Sequence, residues 1–396
     1  MTAGRVYLDY NASAPLRPEV VEAMLHVLTA SGNGSSVHRE GRAARAAIEE
    51  ARGKVAELVG AGGAKLVFTS GGTEANALAL SPDVRVRGFG GRGANTRPSR
   101  CFVGATEHPS ILAGGRFPAD AVTVVPVDAD GIVDIAWLAE RLDADAEGWP
   151  FVSLQMANNE TGVLQPIAEV AQLVHAAGGV LHVDAVQAAG KMPIDFSTLG
   201  ADMLSLSAHK FGGPQGAGAL IYTPGVDLGP SLLRGGGQEG GHRAGTENLA
   251  AIVGFGAAAA IAFSEIDNYI MAMAAMRDRI EREARQVLPD LVVFGADVRR
   301  LANTTAFAVP GVKAETLVMA FDLAGVAVSS GSACSSGKVR PSHVLAAMGI
   351  APTVAEGAVR ISLGWANRDE DVERFTSAFA RVTRNLSARR QGIKAA

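Results

Sequence analysis

Residues 203–214 read Met203-Leu204-Ser205-Leu206-Ser207-Ala208-His209-Lys210-Phe211-Gly212-Gly213-Pro214: a short apolar run, a lysine, then a Gly-Gly-Pro turn. The run, Met203–Leu206, is a strand candidate, and the turn stops it. A lysine placed there stands at the edge where open parallel sheets bind their ligands. Desolvated at such an edge, an amine has a depressed pKa and can form a Schiff base. The sequence holds only seven lysines, and Lys210 is the one in this setting. Lys54 falls in an amphipathic helical stretch, Lys191 and Lys338 in polar loops, and Lys394 in the last residues. The competing reading of Lys210 is a snorkelling side chain.

Outward from this stretch, short apolar runs alternate with longer amphipathic ones. Strand candidates are Lys65–Thr69, Cys101–Ala105, Val122–Val127, Phe151–Met156, Val180–Val183 and Gly218–Tyr222. Most are nearly continuous apolar runs, as strands covered on both faces should be. Helical segments lie between them at Arg39–Val59, Thr73–Leu80, Ile135–Arg141 and Ile167–Ala177. This alternation predicts an α/β fold, a mainly parallel sheet flanked by helices. After Thr246 a long helical stretch runs towards Val287, with a break expected near Phe263–Asn268. Short strands (Leu291–Phe294, Asn303–Val309, Gly325–Val328, Ala358–Leu363) and helices (Glu315–Leu323, Pro341–Met348, Asp369–Arg384) follow. The expected organisation is a large domain over 15–261 and a smaller α+β domain built from 1–14 and 262–396.

Composition narrows the function classes. The 396 residues are 48% hydrophobic and 19% charged, with a net charge of −4. A nucleic-acid binder needs a basic face, and a disordered chain needs low hydrophobicity with high net charge; neither fits. Two cysteines, Cys101 and Cys334, cannot build a disulfide framework or a four-ligand zinc site, so no metal is expected. Met1 to Ser13 lacks the charged-then-apolar pattern of a signal peptide. The apolar run Leu249 to Phe263 is shorter than the ~20 residues a bilayer span requires. A cytoplasmic protein, away from membranes, is the expectation.

Three further segments carry chemistry. In Phe68-Thr69-Ser70-Gly71-Gly72-Thr73-Glu74 a strand passes through two glycines into a helix, whose first N–H groups and the Thr73 hydroxyl suit a phosphate. A plain strand–helix turn capped by Thr73 would look the same. In His182-Val183-Asp184-Ala185-Val186-Gln187 an apolar strand ends at an acid, with a simple helix cap as the other reading. In Ser329-Ser330-Gly331-Ser332-Ala333-Cys334-Ser335-Ser336-Gly337-Lys338 a cysteine sits in a polar loop with a lysine four residues on, the setting of a reactive thiolate. Cys101, at the start of an apolar run, reads as core. A phosphate cradle, a strand-end acid and a Schiff-base lysine are what a pyridoxal phosphate site needs, because the acid keeps the ring nitrogen protonated and the ring an electron sink. No G-x-G-x-x-G follows the first strand, which disfavours a dinucleotide site.

With these residues in view, the sequence resembles the cysteine desulfurases, in the class V aminotransferase group of fold-type I pyridoxal phosphate enzymes. The resemblance is nearly full length. It runs from Tyr7-Leu8-Asp9-Tyr10-Asn11-Ala12 and Gly32–His38 through Thr106-Glu107-His108, Asn158-Asn159-Glu160-Thr161-Gly162 and His182–Gln187. It continues through Ser207–Gly213, Gly235–Glu239, Arg243–Asn248 and the Cys334 loop to Val359-Arg360-Ile361-Ser362-Leu363-Gly364. The long Ser-Ser-Gly-Ser-Ala-Cys-Ser-Ser-Gly loop, about 329–340, resembles the subgroup of nitrogen-fixation and housekeeping iron–sulfur cluster desulfurases. Gly34 departs from that pattern, standing where many relatives have proline.

The resemblance implies a role for each matching residue. Lys210 carries the cofactor and later moves the substrate proton. His108 stacks on the pyridine ring, Asp184 pairs with its nitrogen, and Gln187 reaches the phenolic oxygen. Gly72, Thr73, Ser207 and His209 hold the phosphate, with Thr246 supplied by the neighbouring subunit of a homodimer. Asn159 and Arg360 hold the substrate carboxylate, Arg360 as a bidentate fork. Cys334 takes sulfur from L-cysteine as a persulfide, leaving L-alanine, and passes it to an iron–sulfur scaffold or another acceptor protein. The alternatives weighed are a selenocysteine lyase, another class V aminotransferase, which would not need Cys334, and a non-catalytic protein that kept the fold.

Overall fold

The computed structural model describes residues 4–30, 32–86, 97–142, 148–330 and 341–394, with side chains through 386. Seven strands form the main sheet: β1 (Lys65–Thr69), β2 (Pro98–Gly104), β3 (Val122–Val125), β4 (Trp149–Gln155), β5 (Val180–Asp184), β6 (Met203–Ser207) and β7 (Gly218–Tyr222). Their spatial order is β1-β7-β6-β5-β4-β2-β3. Every neighbouring pair from β6 to β3 is parallel, and only β7 runs against its neighbours β1 and β6.

Every residue of β4, β5 and β6 is buried, because both faces of the sheet are covered. The side chains alternate accordingly. Val152, Leu154, Leu181 and Leu204 enter one core with Ile48 and Val55 of the helix Arg39–Leu58 and Phe255 of the helix Leu249–Val287. Phe151, Val180 and Met203 enter the other with Ala75 and Leu78 of the helix Gly72–Ala79. This period of two on a continuously apolar sequence is what a doubly covered strand produces.

A second, antiparallel sheet joins Val292–Val293, Thr304–Ala308, Ala358–Ser362 and Ser329–Ser330, in that order. Its core is aromatic: Phe321 stacks on Phe375 and Phe379, and Phe307 meets Phe379 edge-on, with ring centroids 5.6–6.3 Å apart. The N-terminal strand Val6–Tyr7 pairs with Val326–Ala327, so the chain's start belongs to this second body.

The structure corrects two expectations. The helix Pro18–Leu28, with Pro18 in its first turn, was absent from the pattern read in sequence. The expected break at Phe263–Asn268 is also absent: one helix of 39 residues runs from Leu249 to Val287. Ser264, Glu265, Asp267 and Asn268 are polar because that part of the helix faces solvent between two packed parts. Ala251–Ala262 pack on the main core and Met273–Ala284 on the aromatic one. The 261/262 boundary therefore falls inside a helix. By length and hydropathy this helix could cross a bilayer, and 44% of its most apolar window is buried in the protein.

Phe255 is fully buried, its ring against Phe68 (6.2 Å) and Phe211 (5.8 Å), where it ties the long helix to the strand and the turn that border the site. Phe255→Ala leaves a cavity there and should cost about 3–5 kcal/mol, read from urea unfolding midpoints. A loss under about 1 kcal/mol would mean the helix does not lock the sheet.

Candidate active site

The parallel strands deliver their polar residues to one edge. Asp184 is the last residue of β5, and Ser207 ends β6 just before the single turn Ala208–Lys210. The chain leaves β1 through Gly71 into the helix Gly72–Ala79, and His108 follows β2 as the cap of a short helix, Pro109–Leu112. These ends meet around a cavity of about 220 Å³. Its walls include Lys210, Asp184, His108, Gln187 and Asn159. At the other end Gly72, Thr73, Ser207 and His209 also border an adjoining, more open cavity of about 290 Å³. A Cβ at Gly72 would stand 2.7 Å from Val186, and one at Gly218 would stand 2.5 Å from the Gly71 backbone. The helix start is thus pressed against the cavity in a way only glycine allows.

A hydrogen-bond chain connects the acid to the histidine. Asn76 donates to Asp184 Oδ2 (2.8 Å) and to Ser110 Oγ (3.0 Å), and Ser110 Oγ lies 2.8 Å from His108 Nδ1. His108 Nδ1 accepts from the Ser110 N–H at 3.2 Å, which leaves the proton of the neutral ring on Nε2. Burial lowers the His108 pKa; Asp184 opposes this, and the charges of Lys210 and His343 add to it. His209 is pushed down to about 4 by burial and by Lys210 and Lys191. Both imidazoles are neutral at pH 7.

Lys210 Nζ donates to the main-chain oxygens of Asn11 (2.7 Å) and Ala12 (3.0 Å). Asn11 was missed as a site residue, yet it lines the cavity and is 1% exposed. Its N–H reaches Ser362 Oγ (2.9 Å), and its side-chain amide donates to Thr304 Oγ1 (2.9 Å). Its main-chain oxygen also accepts from Gln187 Nε2 at 3.0 Å. Lys191 corrects the sequence reading as well. It lies in a turn as expected, but the turn is covered: Lys191 is 2% exposed and donates to Asn11 Oδ1 (2.8 Å) and Gln187 Oε1 (2.9 Å). The flanking glycine and proline mimic a surface turn; only the fold shows that this turn is covered.

The remaining expected residues lie elsewhere. Arg360, 2% exposed, does not line the cavity; its Nη2 meets Asp9 at 2.7 Å and its Nη1 the Asn159 oxygen at 2.8 Å. Its Nε is buried without a partner among the described residues. Thr246 is exposed and outside the cavity. Cys334 and most of its loop, 331–340, lie outside the described residues. Cys101 is fully buried, and burial pushes its thiol up to about 12, so it is inert at neutral pH. Among the described residues no group of three or more His, Cys, Asp or Glu could hold a metal.

The donor set fits pyridoxal phosphate: an amine, a carboxylate across the cavity, and at its far end a helix start whose first N–H groups have no helical acceptors. The fold and site are those of a fold-type I pyridoxal phosphate enzyme. Residues 6–375 match the family model for aminotransferase class V. A cysteine desulfurase IscS of Dictyoglomus turgidum is 39% identical over 385 residues, covering 96% of this chain and 95% of that one. The cysteine desulfurase NifS of Azotobacter vinelandii is 40% identical over 376 residues, 93% and 90% of the two chains. A solved NifS-like protein from Rickettsia africae superposes with a TM-score of 0.86 at 34% identity, covering 96% of this chain and 99% of that one. The chain belongs to the class V aminotransferases and, within them, to the cysteine desulfurases.

Beside the site, Glu160 is buried and accepts from Ser342 Oγ at 2.6 Å, just beyond residues 331–340. Burial raises its pKa to about 7, against the Ser342 bond and Arg360, which lower it. The folded state therefore binds this proton more tightly than the unfolded chain. That stabilises the fold at low pH, and the benefit is lost as pH rises through about 7. Glu160→Gln has no such loss. Relative to wild type it should gain about 2–3 kcal/mol between pH 4 and pH 8, by urea unfolding at both values. A pH-independent difference would show that Glu160 is not protonated by burial.

Proposed function

We propose that this chain is a pyridoxal phosphate-dependent cysteine desulfurase that converts L-cysteine to L-alanine and supplies the sulfur to iron–sulfur cluster assembly. The observation that carries the reading is the meeting of Lys210, Asp184 and the Gly72–Thr73 helix start at one cavity. When bound, pyridoxal phosphate supplies an electron sink for the charge left at the substrate α-carbon. In this reading Lys210 binds the cofactor through its amine and then takes the α-proton. Asp184, held by Asn76 and the Val186 N–H (2.9 Å), keeps a proton on the ring nitrogen. His108, on the cavity wall, would lie against the ring, with its Nε2 proton available for transfer. Gln187 donates to the phenolic oxygen, and Gly72, Thr73, Ser207 and His209 hold the phosphate. Asn159 and Arg360 bind the substrate carboxylate; the unpartnered Nε of Arg360 supports this.

The Cys334 thiolate attacks the substrate sulfur. The carbon–sulfur bond breaks, a sulfur–sulfur bond forms on Cys334, and the carbon skeleton leaves as L-alanine. The electron pair of the broken carbon–sulfur bond stays with the carbon skeleton, which takes protons at its β- and α-carbons, so the reduction of carbon balances the oxidation of sulfur to persulfide and no external oxidant is needed. A sulfur-acceptor protein then takes the sulfur.

A homodimer with shared sites follows from the same reading. Thr246 is exposed, away from its own cavity, and Leu25, Leu28 and Val37 present 55%, 62% and 87% of their surface to solvent. A large domain of 15–261 and a small one of 1–14 with 262–396 would carry the cofactor and the cysteine loop respectively. A reactive thiol favours the reducing cytoplasm, and a net charge of −4 disfavours nucleic acid. The long apolar helix contributes to two cores, which favours a protein away from membranes.

Cys334→Ser tests the mechanism. The variant should keep the yellow colour of the cofactor-loaded protein while sulfide release from L-cysteine falls at least about 100-fold. Wild-type turnover in this variant would rule the desulfurase mechanism out.

A further inference from the structure

Lys191 is a buried amine that the mechanism above leaves unused. Both of its hydrogen-bond acceptors, Asn11 Oδ1 and Gln187 Oε1, are neutral amide oxygens, and among the described residues the charges that act on it are those of Lys210 and Arg360, with no carboxylate. Burying an ammonium on these terms is strongly unfavourable, where a methionine of similar shape would carry no such desolvation penalty. Its geometry has a consequence at the cavity. Because Lys191 occupies Gln187 Oε1, the amide can turn only one way, with its Nε2 donor towards Asn11 O and the cavity. The same lysine holds Asn11, whose main-chain oxygen receives Lys210.

We propose that Lys191 is a positioning residue of this site, whose positive charge, transmitted directly and through Gln187, stabilises the anionic phenolic oxygen of the cofactor and disfavours an extra proton on the Lys210 nitrogen. The inference rests on the cofactor reading above. Burial and the charges of Lys210 and Arg360 press the Lys191 pKa down, and an anion placed at Gln187 relieves that pressure. Facing Lys191 are Lys210 from the turn after β6, Arg360 from the smaller sheet, and His209. Across a small cavity lie Tyr10, Arg17, Glu265 and Tyr269. Arg17 is paired with Glu265 (2.7 Å) and Arg360 with Asp9 (2.7 Å), so two of the positive charges are already balanced. Lys191 has no carboxylate within hydrogen-bond reach among the described residues, and its counter-charge would come from the cofactor.

The test is a pH titration of the visible absorbance of the pyridoxal phosphate-loaded protein, wild type against Lys191→Met, Lys191→Gln and Lys191→Arg. The midpoint reports the proton on the Lys210 nitrogen. Removing a nearby positive charge should raise it by about one pH unit in the Met and Gln variants. The Arg variant keeps the charge and should stay within a few tenths of wild type. Gln retains a donor, so a purely structural role would leave its midpoint unmoved; if the Met variant does not fold, the Gln variant carries the comparison. Unshifted midpoints in the neutral variants, or an Arg variant shifted as far as they are, overturn the proposal. A wild-type protein that forms no chromophore overturns the cofactor reading itself, and this inference with it.

Discussion

The hydrogen bond from Lys210 Nζ to the main-chain oxygen of Asn11, 2.7 Å long, is the contact on which the site depends. Lys210 stands just after β6 in the main sheet, whereas Asn11 follows the strand Val6–Tyr7, which pairs with Val326–Ala327, and Asp9, which bridges to Ser362 of the smaller sheet. Through Ser362, Thr304 and Asn303, Asn11 is fixed to that second sheet; through Gln187, Lys191 and Lys210 it is fixed to the first. One residue, 1% exposed, thus sets the distance between the two bodies at the point where the chemistry occurs. A shift of either body would move the amine relative to Asp184.

The sheet itself makes the acid's position rigid. His182, two residues before Asp184 and on the same face of β5, spans the strand gaps: Ser153 Oγ on β4 at 2.8 Å and Ser205 Oγ on β6 at 2.8 Å. Burial pushes its pKa down to about 3, so it stays neutral and both ring nitrogens remain hydrogen-bonded across the physiological range. Asp184 then sits in register with Gln155 and Ser205 on the flanking strands. A polar crossbar one pleat below the site costs little here because every ring nitrogen has its partner. The reward is an acid that cannot drift.

Much of this was legible in sequence, for a physical reason. A parallel sheet buried on both faces writes continuous apolar runs, and its ligand edge writes polar residues just after them, so Asp184 and Lys210 stand out in the sequence, whereas Ser207 is marked only by the family resemblance. The Gly71-Gly72-Thr73 turn was legible for the same reason. What failed was anything that depends on two distant segments meeting. Lys191 looks exposed in Ala189-Gly190-Lys191-Met192-Pro193, because nothing local shows that Asn11 will cover it. Asn11 looks like one polar residue in an N-terminal run. The polar stretch Ser264–Asn268 imitates a helix break although it is only the solvent face between two cores. The resemblance makes Arg360 a bidentate fork for a carboxylate; that its Nη2 meets Asp9, 351 residues away, has no local sign in the sequence.

In the proposed reading Lys210, which is half-buried, and not the more deeply buried Lys191, is the amine that holds the cofactor. Borohydride reduction of the protein loaded with pyridoxal phosphate fixes the bond irreversibly, and peptide mapping by mass spectrometry then locates the label. The label is expected on Lys210 alone; a label on Lys191, or no stable label on either, would contradict the account.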